Sequence, residues 1–185
     1  MMKEVRLHGR GGQGVVSAAQ LLADAAVLEG KYVQAFPEFG AERSGAPIAA
    51  YARFSDGPIE THSFIRNPDV VVVVDRSMAY LKSTTAGLAV GGYLISNYEG
   101  PPSELRVKLG LDSTLKVLAL DATGIAMKSL GKDFPNTPML GAVVKATNLV
   151  GYDSLAKVLG ERFKGAVRAG NEEALKLGYE EVRAE

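Results

Sequence analysis

The stretch that decides the fold is VRLHGRGGQGVVSAAQLLADAA, from Val5 to Ala26. Val5–His8 reads as a strand. Gly9 to Gly14 are too rich in glycine to continue it, and beyond them Gln13, Ser17, Gln20 and Asp24 recur near a helical period. The polar stripe is narrow, so most sides of this helix are expected to be covered, and Gly30 stands where a helix is capped at its C-terminus. A strand, a glycine loop and a helix in this order turn backbone N–H groups and the positive end of a helix dipole toward an anion.

Outward from there the chain alternates. Tyr32–Phe36 fits a second strand, and residues 37–47 (PEFGAERSGAP) form a loop loaded with charged and aromatic side chains. IAAYARFSDGPIETHSF, residues 48–64, alternates about Asp56-Gly57 and predicts two antiparallel strands joined by a tight turn. DVVVVVD, residues 69–75, predicts a central parallel strand buried on both faces. A helix from about Ser77, strands near Tyr93–Ser96 and Lys116–Leu120, and a helix after Asp121 continue the pattern. Asp75 and Asp121 each stand at the carboxyl end of a strand. There they either face a ligand or, more simply, cap the helix that follows. The last third reads as helical: one helix launched by Thr137-Pro138, a second over Ser154–Phe163 and a third over Asn171–Val182. The expected fold is a single α/β domain over residues 1–185, a three-layer, Rossmann-like α/β/α sandwich. Its sheet is mixed and mostly parallel, with an antiparallel hairpin and a helical C-terminal third.

Composition narrows the function. The chain has 185 residues, 46% hydrophobic and 23% charged, with no net charge; a neutral balance argues against nucleic acid as the main partner. No apolar run approaches the length of a membrane span, and the N-terminus lacks a signal-peptide pattern, so a cytoplasmic location is expected. There is no cysteine, which removes thiolate nucleophiles, disulfides and thiolate ligands for zinc or iron–sulfur clusters. His8 and His62 are far apart and lack metal-ligand spacing. Scarce Asn and Gln fit a thermophilic source.

Gly9-Arg10-Gly11-Gly12-Gln13-Gly14 matches the G-x-G-x-x-G fingerprint of dinucleotide sites. An NAD site also needs an acidic residue at the end of strand two for the ribose hydroxyls. Glu29 lies in the helix and Glu38 beyond a proline, so neither is well placed. Coenzyme A carries the same adenosine diphosphate unit without that need and welcomes extra cations, for which Arg10 and Arg43 are available. A glycine turn that only permits tight packing is the third possibility.

Three stretches taken together, GRGGQG, PEFGAERSGAP and NTPMLGAVVKAT (residues 136–147), resemble the gamma subunit of 2-oxoacid:ferredoxin oxidoreductases, pyruvate type, from about Val5 to about Val182. The resemblance implies a share in the thiamine-diphosphate-dependent oxidation of pyruvate to acetyl-CoA with reduction of ferredoxin. It places thiamine diphosphate, magnesium and 4Fe–4S clusters in alpha, beta and delta partner subunits and leaves this chain no catalytic acid, base or nucleophile. Gly11, Gly12, Gln13 and Gly14 would then give donors to the phosphates of coenzyme A, Ser17 a hydroxyl, and Arg10 and Arg43 charge. Ser44 departs from the expected pattern of that loop. Asn136 and Gly141-Ala142 fit a helix packed closely against another element or a partner. An independent NAD- or FAD-binding oxidoreductase domain, and a noncatalytic assembly module, remain the alternatives.

Overall fold

The structure, a computed structural model, describes residues 1–38 and 45–185. Seven strands form one mixed sheet in the order β2-β3-β1-β4-β5-β6-β7. In chain order they are β1 Met2–Arg10, β2 Tyr32–Pro37, β3 Pro47–Ser55, β4 Val70–Val73, β5 Tyr93–Asn97, β6 Lys116–Leu120 and β7 Arg183–Ala184. The helices are α1 Val15–Leu28, α2 Pro102–Leu109, α3 Ala122–Leu130, α4 Asn136–Thr147, α5 Tyr152–Arg162 and α6 Gly165–Glu181. Strands β1, β4, β5 and β6 run parallel. The valines fall on β4, buried throughout at the centre of the sheet.

Alternation divides the sheet into two unequal sides. Val5, Leu7, Val70, Val72, Val74, Ile95, Leu118 and Leu120 face one core shared with α1, α3, α4, α5 and α6. Val71, Val73, Leu94, Val117 and Ala119 face the other, covered by α2, by residues near Met78 and by Leu88, Tyr98 and Leu111. The result is the expected three-layer sandwich with one thick helical layer and one thin layer.

Three expectations change. The antiparallel pairing does not span Asp56-Gly57: β3 pairs with β2 and with β1, and residues 56–69 hold no strand. The segment after Gly57 instead crosses the thin face. The helix expected from Ser77 is two short 3-10 turns, Arg76–Met78 and Lys82–Thr85. Thr137 is not a cap. It lies inside α4, whose N-cap is Pro135, and its hydroxyl donates to Asn171 Oδ1 at 2.7 Å.

Irregular cover on the thin side leaves backbone carbonyls in need of donors, and arginines supply them. Arg53, 1% exposed, donates to the carbonyls of Thr61 and Ser63, to Gln34 Oε1 and to Glu4 Oε1. Arg6 donates to the carbonyls of Thr84 and Ala86, and its Nε to His8 Nε2 at 3.0 Å. Burial, then the neighbouring Arg6 charge, pushes the His8 imidazole down to about 4.

In the thick layer, α4 and α6 cross in close contact. A Cβ on Gly178 would lie 2.0 Å from the Pro138 carbonyl oxygen, and one on Gly141 2.3 Å from that of Leu175. The small residues of NTPMLGAVVKAT thus serve packing within the chain.

Candidate anion-binding cleft

The glycine loop closes on itself before it meets anything else. Gln13 accepts from the Arg10 amide through Oε1 at 2.8 Å and donates through Nε2 to Asp75 Oδ2 at 2.6 Å. The Arg10 guanidinium reaches Asp75 Oδ1 at 3.4 Å, Ser77 Oγ at 2.9 Å and the Gly45 carbonyl at 3.1 Å. The Gly11 amide donates to the Ala46 carbonyl, and the Gln13 amide to that of Arg10. Burial alone would raise the Asp75 carboxyl, but hydrogen bonds from Ser77 and Gln13 and the Arg10 charge hold it below the usual carboxylate range. Arg10, Gly11 and Gln13, expected to face a ligand anion, are therefore engaged by the protein's own acceptors. The crevice between β1 and β4, where the chain reverses its direction of winding and open α/β sheets usually take ligands, holds the Asp75 carboxylate. Asp121 is a plain cap, accepting from the Gly124 amide at 2.9 Å.

The second half of the loop behaves differently. Among the described residues, the amides of Gly12, Gly14, Val15, Val16 and Ser17 have no acceptor, as the first turn of a helix requires. Gly12 (φ +96) and Gly14 (φ +75) turn the chain in the left-handed region that favours glycine. A Cβ on Gly14 would sit 2.6 Å from Asn136 Nδ2, so the starts of α1 and α4 meet there; among the described residues a Cβ on Gly12 would meet nothing within 4 Å.

These amides open on a cleft of about 800 Å³ between α1, the α3–α4 connection and the α5–α6 junction, within the range of small-molecule sites. Ser17, Ser129, Lys132, Asn136, Arg162 and Asn171 line it with an apolar remainder that includes Val16, Phe134 and Phe163. Among the described residues its lining has no Asp or Glu, and neither Lys132 nor Arg162 forms an ion pair. Among the described residues the buried Ser129 hydroxyl has no hydrogen-bond partner. Of the residues singled out in the sequence, Gly12, Gly14 and Ser17 line this cleft; Lys132 and Arg162, which no local pattern marks, line it too. Arg43 lies outside the described residues. Among those residues no three His, Cys, Asp or Glu side chains gather where a metal ion would fit, and no helix is long and apolar enough to cross a membrane.

A mixed sheet whose first glycine loop leads into a cleft lined, among the described residues, by cations and no acid defines the chain as an α/β protein with a candidate anion site. Comparison with known proteins sharpens this: residues 4–181 match the model of the pyruvate ferredoxin/flavodoxin oxidoreductase family, and the chain belongs to that family. It is 47% identical over 181 residues to the pyruvate/ketoisovalerate oxidoreductases common subunit gamma of Thermococcus litoralis, covering 98% of this chain and 97% of that one. To the pyruvate synthase subunit PorC of Methanothermobacter thermautotrophicus it is 44% identical over 181 residues, covering 98% and 96%. The crystal structure of pyruvate oxidoreductase subunit PORC from Thermotoga maritima superposes with a TM-score of 0.89 at 42% identity, covering 99% of this chain and 98% of that one. The resemblance to gamma subunits carried by the three sequence stretches thus extends over the whole chain.

Proposed function

We propose that this chain is the gamma subunit of a pyruvate-type 2-oxoacid:ferredoxin oxidoreductase and holds the phosphate-bearing part of coenzyme A in the cytoplasm. Alpha, beta and delta subunits would carry thiamine diphosphate with its magnesium ion and the 4Fe–4S clusters. The absence of cysteine here fits that division, because a cluster needs thiolates. The isolated chain is then inactive toward pyruvate.

The observation that carries the proposal is the cleft, acid-free among the described residues, with Lys132 and Arg162 in its lining and, among those residues, unpaired amides of α1 at its wall. The diphosphate takes the amides of Gly12 and Gly14 to Ser17, the two cations take the ribose phosphate, and Val16, Phe134 and Phe163 cover apolar parts of the ligand. Arg10, Gly11 and Gln13 shape the loop from behind. Arg43 stays a candidate phosphate partner on sequence grounds.

Against an NAD site, Glu29 lies at the far end of α1 from the loop and accepts from the Gly151 amide at 2.5 Å and from Lys31 at 2.9 Å. Glu38 accepts from the Tyr51 hydroxyl at 2.7 Å. Calorimetric titration of the chain with coenzyme A and with NAD separates the two. Coenzyme A should bind, and Lys132→Ala with Arg162→Ala should weaken it about tenfold, as two charge-assisted contacts imply. Binding of NAD with no response to coenzyme A would overturn the proposal.

A further inference from the structure

The edge of the sheet opposite the cleft carries a second feature, built from different residues. Where β5 and β6 begin and α4 ends, a hollow of about 760 Å³ opens. Lys116 Nζ donates to the Tyr93 hydroxyl at 2.8 Å and stands 4.5 Å from the centre of that ring. Lys145 Nζ stands 4.7 Å from the centre of the Tyr179 ring. Neither ammonium has a carboxylate partner among the described residues. The acid of the hollow, Glu185, is matched by Arg106 at 2.5 Å. Two positive charges therefore remain, each held over an aromatic face that limits its freedom, beside an apolar wall of Leu115, Leu118, Ala146 and Val182. A second hollow of about 470 Å³ shares Tyr93 and Lys116 with the first and is bordered by Val90, which is 87% exposed.

We infer that this amino edge docks an extended, acidic segment of a partner polypeptide. Charge complementarity selects carboxylates for the two unmatched ammonium groups, and the apolar wall selects intervening aliphatic side chains. Two adjoining hollows suit an extended chain better than a small anion. Single-stranded nucleic acid would stack bases on exposed aromatic faces, and here a lysine already covers one face of each tyrosine. The coenzyme cleft lies at the carboxyl edge, so a partner held here leaves it open. The inference is independent of what the cleft binds.

The test is fluorescence anisotropy of a labelled peptide of alternating glutamate and leucine, titrated with the full chain at low salt. Lys116→Ala with Lys145→Ala should weaken the peptide by about three- to tenfold, and added salt should weaken it for the unaltered chain. Lys128→Ala with Lys157→Ala makes the same change in net charge elsewhere and should leave the affinity unchanged. Thermal melting of both double variants confirms that they fold, and coenzyme A titration reports the cleft separately. The inference is overturned if the control pair weakens the peptide as much as the test pair, if the test pair binds normally, or if an oligothymidylate of equal charge binds more tightly than the peptide.

Discussion

Gln13 and Asp75 meet across the gap between β1 and β4, with the carboxamide nitrogen 2.6 Å from Oδ2. The glycine loop thus grips an internal carboxylate on one side and leaves its amides open on the other. Gln13→Ala removes the donor to Asp75 and the acceptor of the Arg10 amide together. Stability should fall by about 1–3 kcal/mol, as for a partly buried group left unsatisfied. Urea unfolding measures it, and under the proposed function coenzyme A affinity should fall with it because the loop loses its brace.

Gly12 and Gly14 separate backbone strain from steric clash. Both have positive φ, but among the described residues only Gly14 has a neighbour, Asn136, where a Cβ would stand. Gly12→Ala should cost about 1 kcal/mol for its backbone conformation alone. Gly14→Ala should cost clearly more, because Asn136 must also move. Equal unfolding midpoints for the two variants would contradict the contact.

Arg53→Met should destabilise the chain by about 3–5 kcal/mol, because it leaves the Glu4 carboxylate and the carbonyls of Thr61 and Ser63 without their donor. Residues 56–66 should also become the first site of limited proteolysis.

His8 makes stability depend on pH. Its imidazole titrates near 4 in the folded chain and near its ordinary value of about 6.5 when unfolded. The unfolded state therefore binds the extra proton first, and the stabilisation is lost as pH falls from about 6.5 toward 4. His8→Gln should flatten the decline of the urea midpoint across that window. Asp75, held below the carboxylate range, loses its own stabilisation at still lower pH.

Gly178→Ala drives a methyl group into the Pro138 carbonyl. Because α4 and α6 cannot separate without opening the core, a loss of at least about 2 kcal/mol in calorimetric melting is expected.

Much of the sheet and part of the thick layer were legible in the sequence. β1, α1, β2, β4, β5, β6 and α3 follow local patterns of valine alternation, helical period and glycine caps, and the sequence alone supports their placement. The thin layer was not. Residues 58–64 alternate like a strand, yet they pair with nothing in the sheet. The buried Arg53 guanidinium fixes them, and the need for it arises only once β3 turns it toward that face. α2 escaped because PSELRVKL has scarcely an apolar face. The site was half legible: glycines at a helix start announce open amides, but Lys132 and Arg162 join them only through the packing of α3, α5 and α6. Sequence also could not show that Asp75 would take the donors of Arg10 and Gln13.

One wall of the cleft comes from residues 12–21 and the other from residues 129–171. On the ribosome the glycine loop therefore emerges more than a hundred residues before the opposite wall and waits for it before it has anything to enclose. A nascent polypeptide stalled after β6 would expose the Val16 side of α1 to the solvent, and the cleft would take shape only once residues 129–171 had been made.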